Sequence, residues 1–185
     1  QGAHLYARGR YAAATEALRA AYDAAAAEGY AHIMMNCRVY LGNCCSDSGD
    51  LERMRQHYAV AQRLALALGD QNILSTIRYN EAATKIECGD FAAAYAYFAA
   101  LEEPDAMSLH KLAVCCEALG RRDKALAALA RAEEMLPEGE AHAPERQMLA
   151  LVRCRLETPD YLHDERYGEL LTNCFALLRR ERGAG

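Results

Sequence analysis

Apolar residues recur along most of this chain at intervals of three and four. Tyr58, Ala61, Leu64 and Leu68 fall on one such stripe, and Leu126, Leu129, Ala132 and Leu136 on another. That period matches the turn of an α-helix, and no segment shows the alternation of a half-buried strand. The spacing predicts helices over 11–28, 31–48, 51–68, 71–88, 91–102, 105–119, 122–136, 144–157 and 166–182, with a stub at 3–8 that ends an earlier helix. Local chemistry marks the breaks. Gly49-Asp50, Gly69-Asp70 and Gly89-Asp90 each join a residue suited to a left-handed helix end to one that caps the next helix. Pro104, Pro137, Pro144 and Pro159 fall in connections or first turns. The short Pro/Gly/Glu stretch 137–144 is the one linker-like segment.

The helices repeat. Gly9, Gly49, Gly89 and Gly120 share one frame, at spacings of 40, 40 and 31 residues. A polar residue follows each, then Tyr11, Leu51, Phe91 or Arg122, and three places further Ala14, Met54, Ala94 or Ala125. A period in this range signals stacked helical hairpins. "YLGNCCSDSGDL" carries Leu41, Gly42, Gly49 and Asp50, and "LAVCCEALGRRDKALAALARAEEMLP" carries Leu112, Ala113, Gly120, Ala125, Leu129, Ala132 and Pro137. Over about residues 3 to 137 the chain resembles the tetratricopeptide repeat family. The resemblance implies an all-α fold, a right-handed superhelical α-solenoid of antiparallel hairpins. Residues 1–137 form the repeats, the first of them truncated, and 138–185 form a C-terminal helical pair that completes or caps the solenoid. Two 40-residue intervals exceed the family's usual period and imply longer helices, as in several bacterial sensor proteins.

Composition narrows the function. The net charge of −5 argues against a nucleic-acid-binding surface spread over the chain, and Arg179, Arg180 and Arg182 form only a small basic cluster. No apolar run approaches the roughly 18–20 residues of a membrane span, and no secretory leader is visible. A cytoplasmic protein is expected. The chain starts part-way through a helical pattern and without Met, so a fragment of something longer is expected. The eight cysteines then favour buried free thiols over a disulfide framework. Cys44 and Cys115 share a repeat position, as do Cys45 and Cys116, and all four are expected to pack between helices. No Cys-x-x-Cys spacing offers a zinc site, and adjacent helical residues point about 100° apart. The six histidines show no metal-binding or triad spacing, and no phosphate-binding glycine loop or nucleophile elbow occurs. No cofactor, metal or catalytic residue is therefore assigned, and the chain is read as non-enzymatic.

In stacked hairpins the first helices line a concave groove. Repeat register puts Asn36, Val39, Tyr40, Asn43 and Asp47 there from the second repeat. The third supplies Thr76, Tyr79, Asn80, Ala83 and Glu87, and the fourth Met107, His110, Lys111 and Val114. In peptide-binding members of the resembled family, groove asparagines hold the peptide backbone and basic residues hold a terminal carboxylate. Asn43, Asn80 and Lys111 match three such positions, while Val39 and Met107 stand where two further basic residues would be. The expected ligand-binding set is Asn36, Tyr40, Asn43, Tyr79, Asn80, His110 and Lys111, with His110 protonated below about pH 6.5. The alternative is that Asn43 and Asn80 bond within the scaffold.

The functional expectation is a scaffold that binds a peptide or protein segment. The alternative is the ligand-sensing and dimerisation region of a bacterial transcription regulator, since "TPDYLHDERYGELLTNCFALLRRE" looks similar to the terminal helix of peptide-pheromone-responsive regulators. On the last helix, Tyr167, Leu170, Leu171, Cys174, Leu177 and Leu178 form an apolar face. It serves either to cap the solenoid or to pair two copies in a homodimer.

Overall fold

A computed structural model describes residues 1–183, with the side chains of Glu140 and 178–183 outside the description. Ten helices follow one another: α1 (Gly2–Ala7), α2 (Tyr11–Glu28), α3 (Ala31–Asp47), α4 (Leu51–Leu68), α5 (Gln71–Glu87), α6 (Phe91–Phe98), α7 (Ala106–Ala118), α8 (Arg122–Met135), α9 (Ala143–Glu157) and α10 (Glu165–Gly183). Two short 3-10 turns, Glu140–His142 and Tyr161–His163, precede α9 and α10. No strand occurs among the described residues. The chain divides into two compact units, 1–81 and 82–185.

The turns work as the glycines require. Gly9, Gly49, Gly89 and Gly120 all take φ between 68° and 78°, a region that costs other residues roughly 1–2 kcal/mol. At Gly49 the turn closes with Gly49 N–H donating to Ser46 O at 2.9 Å and Asp50 N–H to Cys45 O at 2.8 Å. Aspartates then cap the next helices. The Asp50, Asp70, Asp90 and Asp105 carboxylates accept from the backbone N–H of Arg53, Ile73, Ala93 and Ser108 at 3.1, 3.0, 3.2 and 2.7 Å.

In the first unit each helix packs on the next, and α3 with α4 shows the register most clearly. Met35 packs with Ala65, Gly42 with Tyr58, and Cys45 in the cluster of Leu51 and Met54. Positions rise along α3 as they fall along α4, which makes the pair an antiparallel hairpin. Ala14, Leu18, Cys37, Leu41 and Cys44 form the core between α2 and α3. Val39, expected to line a groove, is 5% exposed and joins the Met54–Tyr58–Ile77 core instead.

The second unit centres on Leu109, Ala113, Cys116, Leu129, Leu149 and Val152, from α7, α8 and α9. Two forked ion pairs tie α9 to its neighbours. Arg155 Nε and Nη2 donate to the Glu117 carboxylate at 2.7 and 2.6 Å, and Arg153 Nε and Nη2 to Glu133 at 2.9 and 2.7 Å. The helix predicted over 91–102 stops at Phe98. The final turn tightens, with Ala100 N–H donating to Tyr97 O at 3.2 Å, and Asp105 starts α7 afresh beyond Pro104.

The closest approach in the α3–α4 hairpin is the Tyr58 ring over the bare backbone of Gly42. A Cβ at Gly42 would run into Tyr58 Cε1 and Cδ1. Alanine is normally favoured over glycine in a helix by about 1 kcal/mol. Overpacking a tight core costs about 1–3 kcal/mol, and Tyr58 is 1% exposed with its hydroxyl bonded, so it has no room to yield. Gly42→Ala is therefore expected to lower stability by about 1–2 kcal/mol, or several degrees in Tm. Thermal unfolding followed by circular dichroism checks this, and an unchanged or raised Tm would count against the close packing.

Candidate functional site

The expected site residues fall in both units. In the first, Asn36, Tyr40 and Asn43 lie on one face of α3, spaced four and three residues apart. Tyr79 and Asn80 come from α5. Asn36 is exposed and the other four are half-buried. Tyr40 stands edge-on to Tyr6, with ring centroids 5.7 Å apart.

Asn43 and Asn80 meet directly. Asn80 Nδ2 donates to Asn43 Oδ1 at 3.0 Å, and the buried Tyr58 hydroxyl donates to the same oxygen at 2.7 Å. Burial pushes the Tyr58 phenol pKa up, while its hydrogen bond with Asn80 acts in the opposite sense. Tyr58 is thus a neutral donor at any ordinary pH. The carboxamide of Asn43 has one acceptor oxygen and two N–H donors. Its oxygen is doubly engaged, and its orientation is fixed by that engagement. Its N–H groups have no partner among the described residues. Sequence register placed both asparagines but not Tyr58. The one available signal was Gly42, next to Asn43, which leaves space for a large residue from the facing helix.

In the second unit, His110 and Lys111 are consecutive on α7. His110 is 7% exposed, and its Nδ1 is buried with no hydrogen-bond partner among the described residues. Burial, then the Lys111 and Arg155 cations, lowers its pKa to about 4. The expected protonation below about pH 6.5 is therefore corrected: the ring stays neutral until far more acidic conditions, because the site excludes water and already holds positive charge. Lys111 is half-buried.

All eight cysteines are free thiols. Cys37, Cys44, Cys115, Cys116 and Cys154 are buried, Cys45 and Cys174 are half-buried, and Cys88 is exposed. Cys45 is thus less enclosed than its repeat partner Cys116. Burial raises the pKa of Cys44, Cys45 and Cys116, and takes Cys115 to about 11 with a further contribution from Cys116. These are unreactive thiols at neutral pH. Among the described residues no group of three or more His, Cys, Asp or Glu is arranged to hold a metal ion, and no helix is long and apolar enough to cross a membrane.

The His110 environment has a measurable consequence. Its pKa is depressed in the fold, so between about pH 4 and 6.5 the unfolded chain binds more protons than the folded one. The contribution is fully present above about pH 6.5 and is lost as pH falls toward 4. Its full size is of order 3 kcal/mol. Urea unfolding at a series of pH values is expected to show stability rising across this window, and His110→Gln is expected to flatten the rise. An equal slope in the variant would place the effect elsewhere.

No protein-family profile, no curated protein and no solved structure matches the chain.

Proposed function

We propose that this chain is a non-catalytic binding scaffold that receives an extended peptide or protein segment. In this reading the hairpins over 1–137 wind as a right-handed superhelix of tetratricopeptide type. The helices over 138–185 complete it. Asn36, Tyr40, Asn43, Tyr79 and Asn80 of the first unit, and His110 and Lys111 of the second, are the residues assigned to ligand contact. The observation that carries the reading is the Asn43 carboxamide, held by Tyr58 and Asn80 through its oxygen, with neither N–H group engaged among the described residues. A fixed amide donor matches the carbonyls of an extended backbone, with no cost of ordering a loose side chain on binding. Asn80, whose Nδ2 is spent on Asn43, acts as a positioning residue. Tyr40 and Tyr79 supply apolar walls with polar tips. Lys111 supplies charge for a carboxylate, and neutral His110 supplies none.

Asn43→Asp isolates the donor. The variant keeps an oxygen for Tyr58 and Asn80 but loses both N–H groups. Peptides selected from a random displayed library against the wild-type chain are expected to bind Asn43→Asp roughly 10- to 150-fold more weakly, the range of one well-placed hydrogen bond of about 1.5–3 kcal/mol. Lys111→Ala is expected to weaken acidic peptides and reduce their salt dependence. Calorimetry of the selected peptides reads both. Affinities that ignore both substitutions would remove the groove reading.

A second reading, a dimerising sensor region of a bacterial regulator, is favoured by α10. An almost wholly apolar cleft of about 260 Å³ lies between α9 and α10, lined by Pro144, Met148, Leu151, Leu171, Cys174, Phe175 and Leu177. Phe175 at its edge is 57% exposed, and Leu171 is also exposed. Leu178, expected on the same face, lies outside the described side chains. The α10 sequence opens with Glu165, Arg166 and Glu169, net acidic, and closes with Arg179, Arg180, Glu181 and Arg182, net basic. An antiparallel pairing with a second copy would set opposite charges together and cover the apolar edge. Light scattering is expected to give a dimer mass for the wild type and a monomer mass for helical Phe175→Asp. A monomeric wild type would end this reading.

A further inference from the structure

A second recessed feature lies within the first unit and takes no part in the peptide reading. A cleft of about 360 Å³ opens between α2, the last turns of α3 and the start of α4. On α3 it uses Leu41, Cys44 and Cys45, with Ser48 just past the helix end, a different face from Asn36, Tyr40 and Asn43. Its size is near the lower bound of small-molecule sites, about 300 Å³.

Its hydrogen-bond donors come from two helices. Arg19 of α2 and Arg53 of α4 line the cleft with His57. Arg38 stands behind His57, with Nη1 3.0 Å from His57 Nδ1 and the guanidinium 4.1 Å from the Tyr22 ring centroid. A guanidinium only donates, so His57 Nδ1 accepts and the ring proton sits on Nε2. His57 therefore brings an N–H donor to the cleft it lines. Burial first, then Arg38, Arg19 and Arg53, lowers its pKa, against a weaker opposite effect of Asp50. The donor is thus a neutral imidazole. Arg19 makes no ion pair among the described residues, and Arg38 Nε is buried without a partner.

Two carboxylates, Glu16 and Asp50, also line the cleft. Asp50 is already committed: Oδ1 caps α4, and Oδ2 lies 3.5 Å from Arg53 Nε. Two guanidinium groups, Arg19 and Arg53, and two carboxylates thus line the cleft; Arg53 and Asp50 engage each other, Arg19 makes no ion pair among the described residues, and Arg38 adds positive charge from behind His57. Forked guanidinium groups from two helices, joined by an N–H donor, suit the several oxygens of a phosphate better than the single charge of a cation or the weak polarity of a neutral guest. Tyr11 and Leu41 add an apolar stretch of wall.

We infer that this cleft binds a phosphate group, held between Arg19 and Arg53 with His57 Nε2 donating to a further oxygen. Inorganic phosphate and a small organic phosphate share this chemistry, and the wall of Tyr11 and Leu41 accommodates the remainder of the latter.

The test titrates the intact chain with inorganic phosphate, AMP and adenosine, read by calorimetry and by the histidine ring resonances. AMP, phosphate or both are expected to bind, with the His57 resonances shifting, and adenosine is expected not to. Tighter binding of AMP assigns an organic phosphate, and equal affinities assign the free ion. The Arg19→Gln/Arg53→Gln double variant is expected to weaken binding by at least about tenfold, since each exchanges a charge-assisted bond for a neutral one. Arg63→Gln, an exposed arginine further along α4, is expected to stay within about twofold and so controls for general charge. The inference is overturned if neither phosphate probe binds at concentrations on the order of 10 mM (a dissociation free energy near 3 kcal/mol), if the double variant keeps its affinity, or if Arg63→Gln loses as much. No peptide enters the experiment, so its failure is separate from failure of the groove reading.

Discussion

The contact on which the α3–α4 hairpin depends is a large side chain pressed against a helix that has almost none at that point. Tyr58 of α4 lies flat on Gly42 of α3, and Leu18 of α2 lies in the same way against Gly2 of α1. The pairing advances with the repeat. Ala82 and Phe98 occupy the corresponding places on α5 and α6, and Ala113 and Leu129 those on α7 and α8, all nearly inaccessible to solvent. A small residue on the first helix and a bulky one on the second let the two axes approach closely without a void. Interiors packed at crystal density feel a single methyl group in either direction. The turn glycines and aspartate caps determine where each helix ends, and this contact determines how the two helices of a pair meet.

The same contact organises the polar chemistry of the first unit. With its ring clamped on Gly42, Tyr58 has one place to put its hydroxyl, and that place is the Asn43 oxygen. Asn80 reaches the same oxygen from α5. A buried hydroxyl left without a partner costs about 1–3 kcal/mol, so Asn43 satisfies the core and is immobilised by it. Its remaining donors are rigid for a reason internal to the hairpin. Scaffold bonding and ligand binding, which register alone presents as alternatives for Asn43, are compatible because different atoms of one carboxamide serve each.

Charge is handled in two ways. In the second unit, Arg153 and Arg155 each engage a carboxylate through two bonds and fasten α9 to α8 and α7. These pairs are partly shielded from water, and their bidentate geometry adds direction as well as charge. In the first unit, Arg38 is spent on a tyrosine face and a histidine nitrogen, and Arg19 has no ion-pair partner among the described residues. The first arrangement locks helices together, and the second leaves the Arg19 guanidinium beside a recess without an ion pair among the described residues.

The sequence by itself determined the helices, their order and the repeat frame. Each of these rests on interactions within a few residues: the 3.6-residue stripe, glycine's access to positive φ, aspartate's bond to the third N–H beyond it. The one helix whose predicted length was wrong, α6, ends at Phe98 in a tightened turn rather than running on to 102. Register also brought Asn43 and Asn80 into the same candidate site. It did not foresee that Val39 turns into the core, that Cys45 stays half-open while Cys116 is enclosed, or that His110 is buried beside Lys111 and Arg155. Nor did it foresee the meeting of Arg19, Arg38, Arg53 and His57. Only the tertiary structure decided these, because each depends on which faces of separate helices come together. The 37-position separation of Asn43 and Asn80 leaves no trace of their contact in any local pattern, since it is made by the packing of α3, α4 and α5 around one tyrosine ring.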